Sequence, residues 1–336
     1  MDIKKILIVG LGSIGKRHLK VVRSNFPEIS IVALRRNHSD TEEINALGLH
    51  DSFTSMDEVL TSKPQVAIIT NPSTKHLAVA KILANAGIHL LIEKPISNST
   101  YGVEQLIDIC MKKKVVLLTG YNLRYLPSLI NFREQIIQNK IGKIFLVQSE
   151  VGQYLPSWRP GSDYRKTVSA QKSLGGGVLT ELSHEIDYMH WIFGPVKWVK
   201  SHVSKQSNLE IDVEDTASLV FGFDKAADSG LIATINMNFI QHDNTRKCKA
   251  IGESGTLIWD GISGEVKYFS KEVKECEIIF SSKPNQLFTY SEQIKYFFSL
   301  VGKSGSSFRS QNDGLSSVII IDAIHKSNTE NRTVYL

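Results

Sequence analysis

The run KKILIVGLGSIGKRHLKVV, at the start of the chain, limits the fold more than any other stretch. An apolar strand over residues 6–9 meets Gly10, Gly12 and Gly15 in G-x-G-x-x-G spacing, and a helix-like segment follows. Each glycine has a mechanical reason. The first permits a tight turn, the second lets a pyrophosphate approach the backbone, and the third lets the helix pack against the strand. Ser13 and Ile14 then open a helix whose free N–H groups and positive dipole end suit phosphate. The placement between strand and helix separates this pattern from a merely structural glycine turn. Gly10, Gly12, Ser13, Ile14 and Gly15 are therefore expected to hold a dinucleotide.

A second strand, SIVALRRN, follows, and its tip ordinarily reads the adenine-side ribose. NAD-binding versions place a carboxylate there, whereas a 2′-phosphate needs cations; Arg35 and Arg36 make NADP the preferred cofactor over NAD. In PQVAIITNPSTKHLAVAKILANAGIHLLIEKP the pattern predicts a strand over 66–70, a turn at Asn71 and Pro72, a helix over about 75–86 and a strand over 89–92. Such alternation indicates a parallel, doubly wound sheet, whose ligands lie beyond the C-terminal strand ends. Asn71 and Lys94 are both expected at that edge. An apolar strand that stops at Glu93, Lys94 and Pro95 could be a plain solvated turn, but its place at the ligand edge points to chemistry.

With 336 residues the chain has room for about two domains. Its composition, 42% hydrophobic and 22% charged, is that of an ordinary globular protein. No run approaches the ~18 apolar residues of a membrane span, and MDIKKILIVG leads into a strand instead of a signal peptide, so a cytoplasmic location without a membrane partner is expected. Cys110, Cys248 and Cys276 are too scattered for a disulfide framework or a metal site. The net charge of +5 is dispersed, and the one basic cluster, at 112–114, is expected to be an exposed helix end with no role in nucleic-acid binding.

Beyond residue 120 longer strands appear, IFLVQSEV, ASLVFGF and LIATINMNFI, several with period-two alternation. This predicts a C-terminal α+β domain with a large, mostly antiparallel open sheet covered on one face. The boundary is placed at 121, giving domains 1–121 and 122–336. The uncovered face is expected to be apolar and to make the chain a homodimer or homotetramer. A final helix over about 313–327 is expected to return between the domains. LGGGVLTELSHEIDYMHWIFG reads as a glycine turn followed by a helix, in which Thr180, Glu181, His184 and Asp187 or Tyr188 would share a face.

GLGSIGKRH, TNPSTKHLAVAKILANAGIHLLIEKP, GYNLRYLPSL and LGGGVLTELSHEIDYMHWIFG together resemble the glucose-fructose oxidoreductase and inositol dehydrogenase family, Gfo/Idh/MocA. The resemblance implies NAD(P)-dependent oxidation or reduction of a sugar, cyclitol or related alcohol. It places Lys94 beside the nicotinamide and the reacting carbon, with Asn71, Pro72, His76 and Glu93 around the cofactor. His184 matches the family's active-site histidine. Thr180 stands where many relatives carry Asp, and Glu181 is one step along, so the proton acceptor is left open. Asn122 and Arg124 match positions near the substrate. Arg159, Tyr164 and Arg165, on the loop before the glycine turn, and Asp187 complete the substrate candidates; arginines there would suit an anionic group. The run from SWRPG through DYR to LGGGVLTELSHEIDY is similar to members associated with nucleotide-sugar and surface-polysaccharide metabolism. The alternatives are an NAD(P)-binding regulator or sensor of the same fold and a reductase of a non-carbohydrate substrate; Lys94 and His184 favour the sugar enzyme.

Overall fold

The structure, a computed structural model, describes residues 3–36, 42, 46, 48–224, 230–272, 275–302 and 308–336. The chain divides into two compact units, Met1–Asn122 with Gln286–Val318, and Leu123–Asn285 with Ile319–Leu336.

In the first unit the strands β1 (Lys5–Val9), β2 (Ser30–Leu34), β3 (Asp51–Phe53), β4 (Val66–Ile69), β5 (His89–Ile92) and β6 (Leu117–Thr119) form one parallel sheet in the order β3-β2-β1-β4-β5-β6. Apolar runs such as KILIV and VAII are buried on both sides, as a parallel sheet covered by helices requires. Leu7 and Val9 join one core and Ile6 and Ile8 the other. The strand order reverses between β1 and β4, which makes their C-terminal tips the switch point where this fold takes its ligand. The helix His76–Asn85 lies within one residue of its expected bounds, and the basic cluster falls at the exposed end of the helix Val103–Lys113.

The unit is completed from far along the chain. Tyr290, Ile294, Phe297 and Leu300, on the helix Gln286–Val301, share a core with Ile6, Ile8, Leu19 and Val22. The expected second domain, 122–336, thus differs from the contact-defined units, which assign Gln286–Val318 to the first. An apolar stripe on a helix says that the helix covers something, but not which sheet. The last helix runs Phe308–Glu330, longer at both ends than the expected 313–327.

The second unit holds a nine-stranded sheet of β7 (Ile144–Gly152), β8 (Trp198–Ser204), β9 (Thr216–Gly222), β10 (Ile232–Asn238), β11 (Thr245–Gly252), β12 (Gly255–Asp260), β13 (Glu265–Ser270), β14 (Cys276–Ser281) and β15 (Val334–Tyr335). Its order is β14-β13-β12-β11-β7-β10-β9-β8-β15, with β7 and β10 parallel and every other pair antiparallel. Val147, Ser149 and Val151 are buried while Gln148 and Glu150 are exposed, so one face carries the core that includes Leu129, Phe132, Ile186 and Met189.

The other face corrects the expectation of a broadly apolar surface. Lys247, Glu150, Asn236, Ser218 and His202 form a continuous polar row across β11, β7, β10, β9 and β8. The next row on that face, Lys249, Gln148, Thr234, Val220 and Lys200, is polar but for Val220, and the row beyond it brings Ile251, Leu146 and Ile232 together. Among the described residues, no helix is long and apolar enough to cross a membrane, no group of three His, Cys, Asp or Glu is placed to hold a metal, and all three cysteines are free.

Candidate active site

The glycine loop has the geometry its spacing requires. Gly10 has φ 89° and donates its N–H to Leu34 O at 2.9 Å, while the Thr70 hydroxyl donates to Gly10 O at 2.8 Å. A Cβ on Gly10 would press on the Asn71 backbone at 3.2 Å, and one on Gly15 would collide with Gly10 O. Gly12 caps the helix Ser13–Asn25 without a side-chain cap, and a Cβ there would meet nothing within 4 Å. With Ser13 exposed and Ile14 half-buried in the first turn, open space lies beside a helix end whose first N–H groups lack intrahelical partners. At the tip of β2, Arg36 is exposed, but Arg35 keeps Nε and Nη2 buried with no hydrogen-bond partner among the described residues. These features fit a phosphate-bearing dinucleotide.

The tips of β4 and β5 carry Asn71 and Lys94, as the alternation predicts. Asn71 Oδ1 and Ser73 Oγ, on either side of Pro72, are buried without partners among the described residues. His76 is buried, with Nε2 2.7 Å from Asn71 O and Nδ1 3.0 Å from Pro95 O. Carbonyls only accept, and burial lowers the imidazole pKa against the pull of these carbonyls and of Glu93. The neutral ring therefore has one proton to donate, and the shorter contact is to Asn71. Expected beside the cofactor, His76 is turned inward and ties two strand tips together. Burial also works to raise the Glu93 pKa, but the His18 hydrogen bond and the charges of His18 and Lys94 hold it below the usual carboxylate range. Glu93, Pro95, Ile96 and Ser97 are buried around a half-buried Lys94.

In the second unit the expected single helix is two. Val178–Glu181 and His184–Phe193 are separated at Leu182 and Ser183, where Leu182 leaves helical geometry at φ −100°, ψ 23°. The face predicted for Thr180, Glu181, His184 and Asp187 is therefore not that of one regular helix. The Thr180 hydroxyl points back to the glycine turn, donating to Gly175 O at 2.9 Å and Gly177 O at 3.1 Å. Glu181 Oε2 accepts from the Ser169 hydroxyl at 2.7 Å. Glu214 Oε1 accepts from Leu179 N at 3.3 Å, and burial raises its pKa. His184, half-buried, opens the second helix.

The proposed anion-binding arginines are largely engaged within the protein. Arg124 donates Nε and Nη2 to the two oxygens of Asp187 at 2.9 and 2.7 Å, and its guanidinium lies 5.5 Å from the Trp191 ring centroid. Two substrate candidates are thus each other's partners. Arg165 is exposed and pairs with Asp163 at 2.9 Å and Glu210 at 3.1 Å. Arg159 and Tyr164 line a small pocket with Leu155, Trp158, Ser162 and Thr167. Asn122, in the first unit, donates to the Thr289 hydroxyl at 2.9 Å.

Thr70, His18, Ser169 and Glu214 support this scaffold and were not singled out from the sequence. His18 left a signal: with Gly15, Leu19 and Val22 it falls on the inward face of the first helix. The other three depend on long-range approach.

Residues 4–121 match the family model described as an oxidoreductase family with an NAD-binding Rossmann fold, and residues 130–258 match the GFO/IDH/MocA C-terminal domain. The chain belongs to the GFO/IDH/MocA family. It is 24% identical to the myo-inositol 2-dehydrogenase of Thermotoga maritima over 343 residues, covering 99% of this chain and 98% of that one. Two other curated relatives are matched over only 54% and 56% of their own length. Among solved structures it shares its fold with a levoglucosan dehydrogenase in complex with NADH and levoglucosan (TM-score 0.86, 20% identity, 99% of each chain). It shares it also with the WlbA dehydrogenase of Bordetella pertussis in complex with NADH and UDP-GlcNAcA (TM-score 0.81, 20% identity, covering 100% of this chain and 99% of that one).

Proposed function

We propose that this protein is an oxidoreductase that moves a hydride between a nicotinamide cofactor and the hydroxyl or keto carbon of a sugar or sugar derivative. The observation that carries the reading is Lys94, half-buried at the tip of β5, in a sheet whose glycine loop, at the tip of β1, has the spacing and open space of a dinucleotide site. Bound nicotinamide supplies the hydride acceptor or donor. The Lys94 ammonium orients and polarises the reacting oxygen, and His184 exchanges its proton. The buried nitrogens of Arg35, without partners among the described residues, support NADP over NAD, because a 2′-phosphate would give them acceptors. The likeness to WlbA and the Arg159–Tyr164 pocket favour a nucleotide sugar as the substrate. The reading includes a cytoplasmic homodimer or homotetramer, to be checked by fractionation and sedimentation.

The test separates chemistry from binding. A panel of nucleotide sugars, hexoses and inositols is screened with each cofactor, and Lys94→Met and His184→Asn are measured on the best substrate. Loss of a positioned acid or base costs about 10²–10⁴-fold in turnover, so each variant should lose that much while retaining cofactor affinity. Near-normal turnover in either variant removes the role given to that residue.

A further inference from the structure

Lys94 sits on a turn whose preceding residue is fixed from inside the protein. The Glu93 carboxylate bridges two elements: Oε1 lies 2.6 Å from His18 Nε2, and Oε2 accepts the backbone N–H of Lys94 at 3.2 Å. His18 is fully buried, and its Nδ1 has no partner among the described residues, so the proton facing the carboxylate belongs on Nε2. Glycine at 120 leaves room for this arrangement, since a Cβ there would stand 3.0 Å from both Cα and Oε2 of Glu93. Tyr290 closes the far side, its ring edge-on to His18 at 5.0 Å, with the Arg17 guanidinium 5.4 Å from the Tyr290 centroid.

We infer that His18 is a positioning residue for Lys94, acting through Glu93 to tie the phosphate-facing helix to the lysine turn. The deduction rests on the reading of Lys94 given above and adds to it how the ammonium is held. A lysine side chain is a point charge on a flexible four-carbon stem. Fixing its own backbone N–H and placing a buried carboxylate next to it limits where the charge can go. His18 comes from the same helix, Ser13–Asn25, whose first turn adjoins the glycine loop. Through it, docking of the cofactor phosphates and aim of the lysine share one rigid element. Arg17, Lys94, His76 and Tyr290 are charged or titratable groups beside this bridge.

The experiment compares His18→Gln with His18→Asn, because a glutamine amide nitrogen reaches the place of Nε2 and an asparagine one does not. The readout is acetylation of Lys94 by acetic anhydride in the cofactor-free protein at fixed pH, followed by mass spectrometry of its peptide over a time course. If Glu93 is released, the hydrogen bond that holds the Lys94 backbone is lost, and the Asn variant should acetylate about ten-fold faster, the change in accessible population made by one charged hydrogen bond. The Gln variant should follow the parent. In turnover, the Asn variant should lose about 10²-fold, the cost of roughly 1 Å of misplacement, with cofactor affinity little changed. Should His18→Asn fail to fold, Glu93→Gln removes the charged acceptor from the other end of the bridge and should speed Lys94 labelling likewise. Labelling in His18→Asn, or in Glu93→Gln if that is the variant that folds, that matches the parent in rate overturns the inference. If no sugar is turned over by the parent, the functional reading fails, while the labelling still decides the role of His18.

Discussion

Along the C-terminal edge of the parallel sheet, Arg35, Asn71 and Ser73 bury nitrogen or oxygen atoms that have no partner among the described residues, whereas in the second unit Thr180, at the glycine turn, and Arg124, Asp187 and Glu181 all have one. A buried polar atom without a partner costs about 1–3 kcal/mol. The first region therefore has the most to gain from a ligand rich in donors and acceptors. The second has engaged those four side chains within the protein, and Ser183 Oγ, just past Glu181 in the sequence, is buried without a partner among the described residues. Substitutions in the two regions should fail differently: those at the sheet edge should cost cofactor discrimination, and those at the glycine turn should cost stability.

The largest effect that would sharpen this contrast is expected at Asp187, which is almost wholly buried against Arg124. Asp187→Ala leaves the guanidinium without its bidentate partner and should lower unfolding free energy by about 3 kcal/mol; urea denaturation measures it. A stability close to that of the parent would mean that the pair is available to substrate. Next is Gly15→Ala, whose Cβ would collide with the Gly10 carbonyl; relief of that overlap should cost about 1–3 kcal/mol of stability. Because the same shift deforms the loop, cofactor affinity should fall with it in a fluorescence titration. Here stability and binding are lost together, which marks the loop as shared ground between the two behaviours.

A smaller and purely discriminating effect is expected at Arg35. Arg35→Ala should weaken NADP(H) by about ten-fold, the worth of one charged hydrogen bond, and leave NAD(H) nearly unchanged. Equal affinity of the unmodified protein for both cofactors would break that half of the comparison. The smallest effect is a dependence on pH. His76 has a lowered folded-state pKa, so its unfolded form binds the proton first as pH falls below about 6.5, and stability drops. Glu93, also lowered, contributes above the ordinary glutamate pKa of about 4.3 and loses that contribution as pH falls through its folded value. Urea midpoints should decline on acidification in both windows, and His76→Gln should flatten the upper one.

Much of the sheet edge was legible because strand, glycine spacing and helix are written in consecutive residues. The strand 89–92 and the lysine beyond it followed from period and punctuation. The pairing of Arg124 with Asp187 was not legible. Nothing in the spacing of those residues distinguishes an arginine that grips a substrate from one that grips an aspartate, because the choice is made by packing across the unit. The break at Leu182 and Ser183 was hidden for a similar reason: the local pattern favours a continuous helix, while half-buried Glu214, met only on folding, accepts from Leu179 N in the first short turn. The polar row across the open sheet could have been read from the alternation itself, since Gln148, Glu150, Ser218 and Asn236 occupy the outward positions.

The helix Gln286–Val301 gives the nucleotide-binding unit an unusual place in the order of synthesis. Its Tyr290, Ile294, Phe297 and Leu300 complete the core begun by Ile6 and Ile8. On the ribosome, the glycine loop emerges long before that helix, and one side of its sheet stays incompletely covered until residues 286–301 have been made. Residues 1–122 are consequently not a portable cassette: grafted into another protein, they would carry an open apolar flank unless residues 286–318 travelled with them.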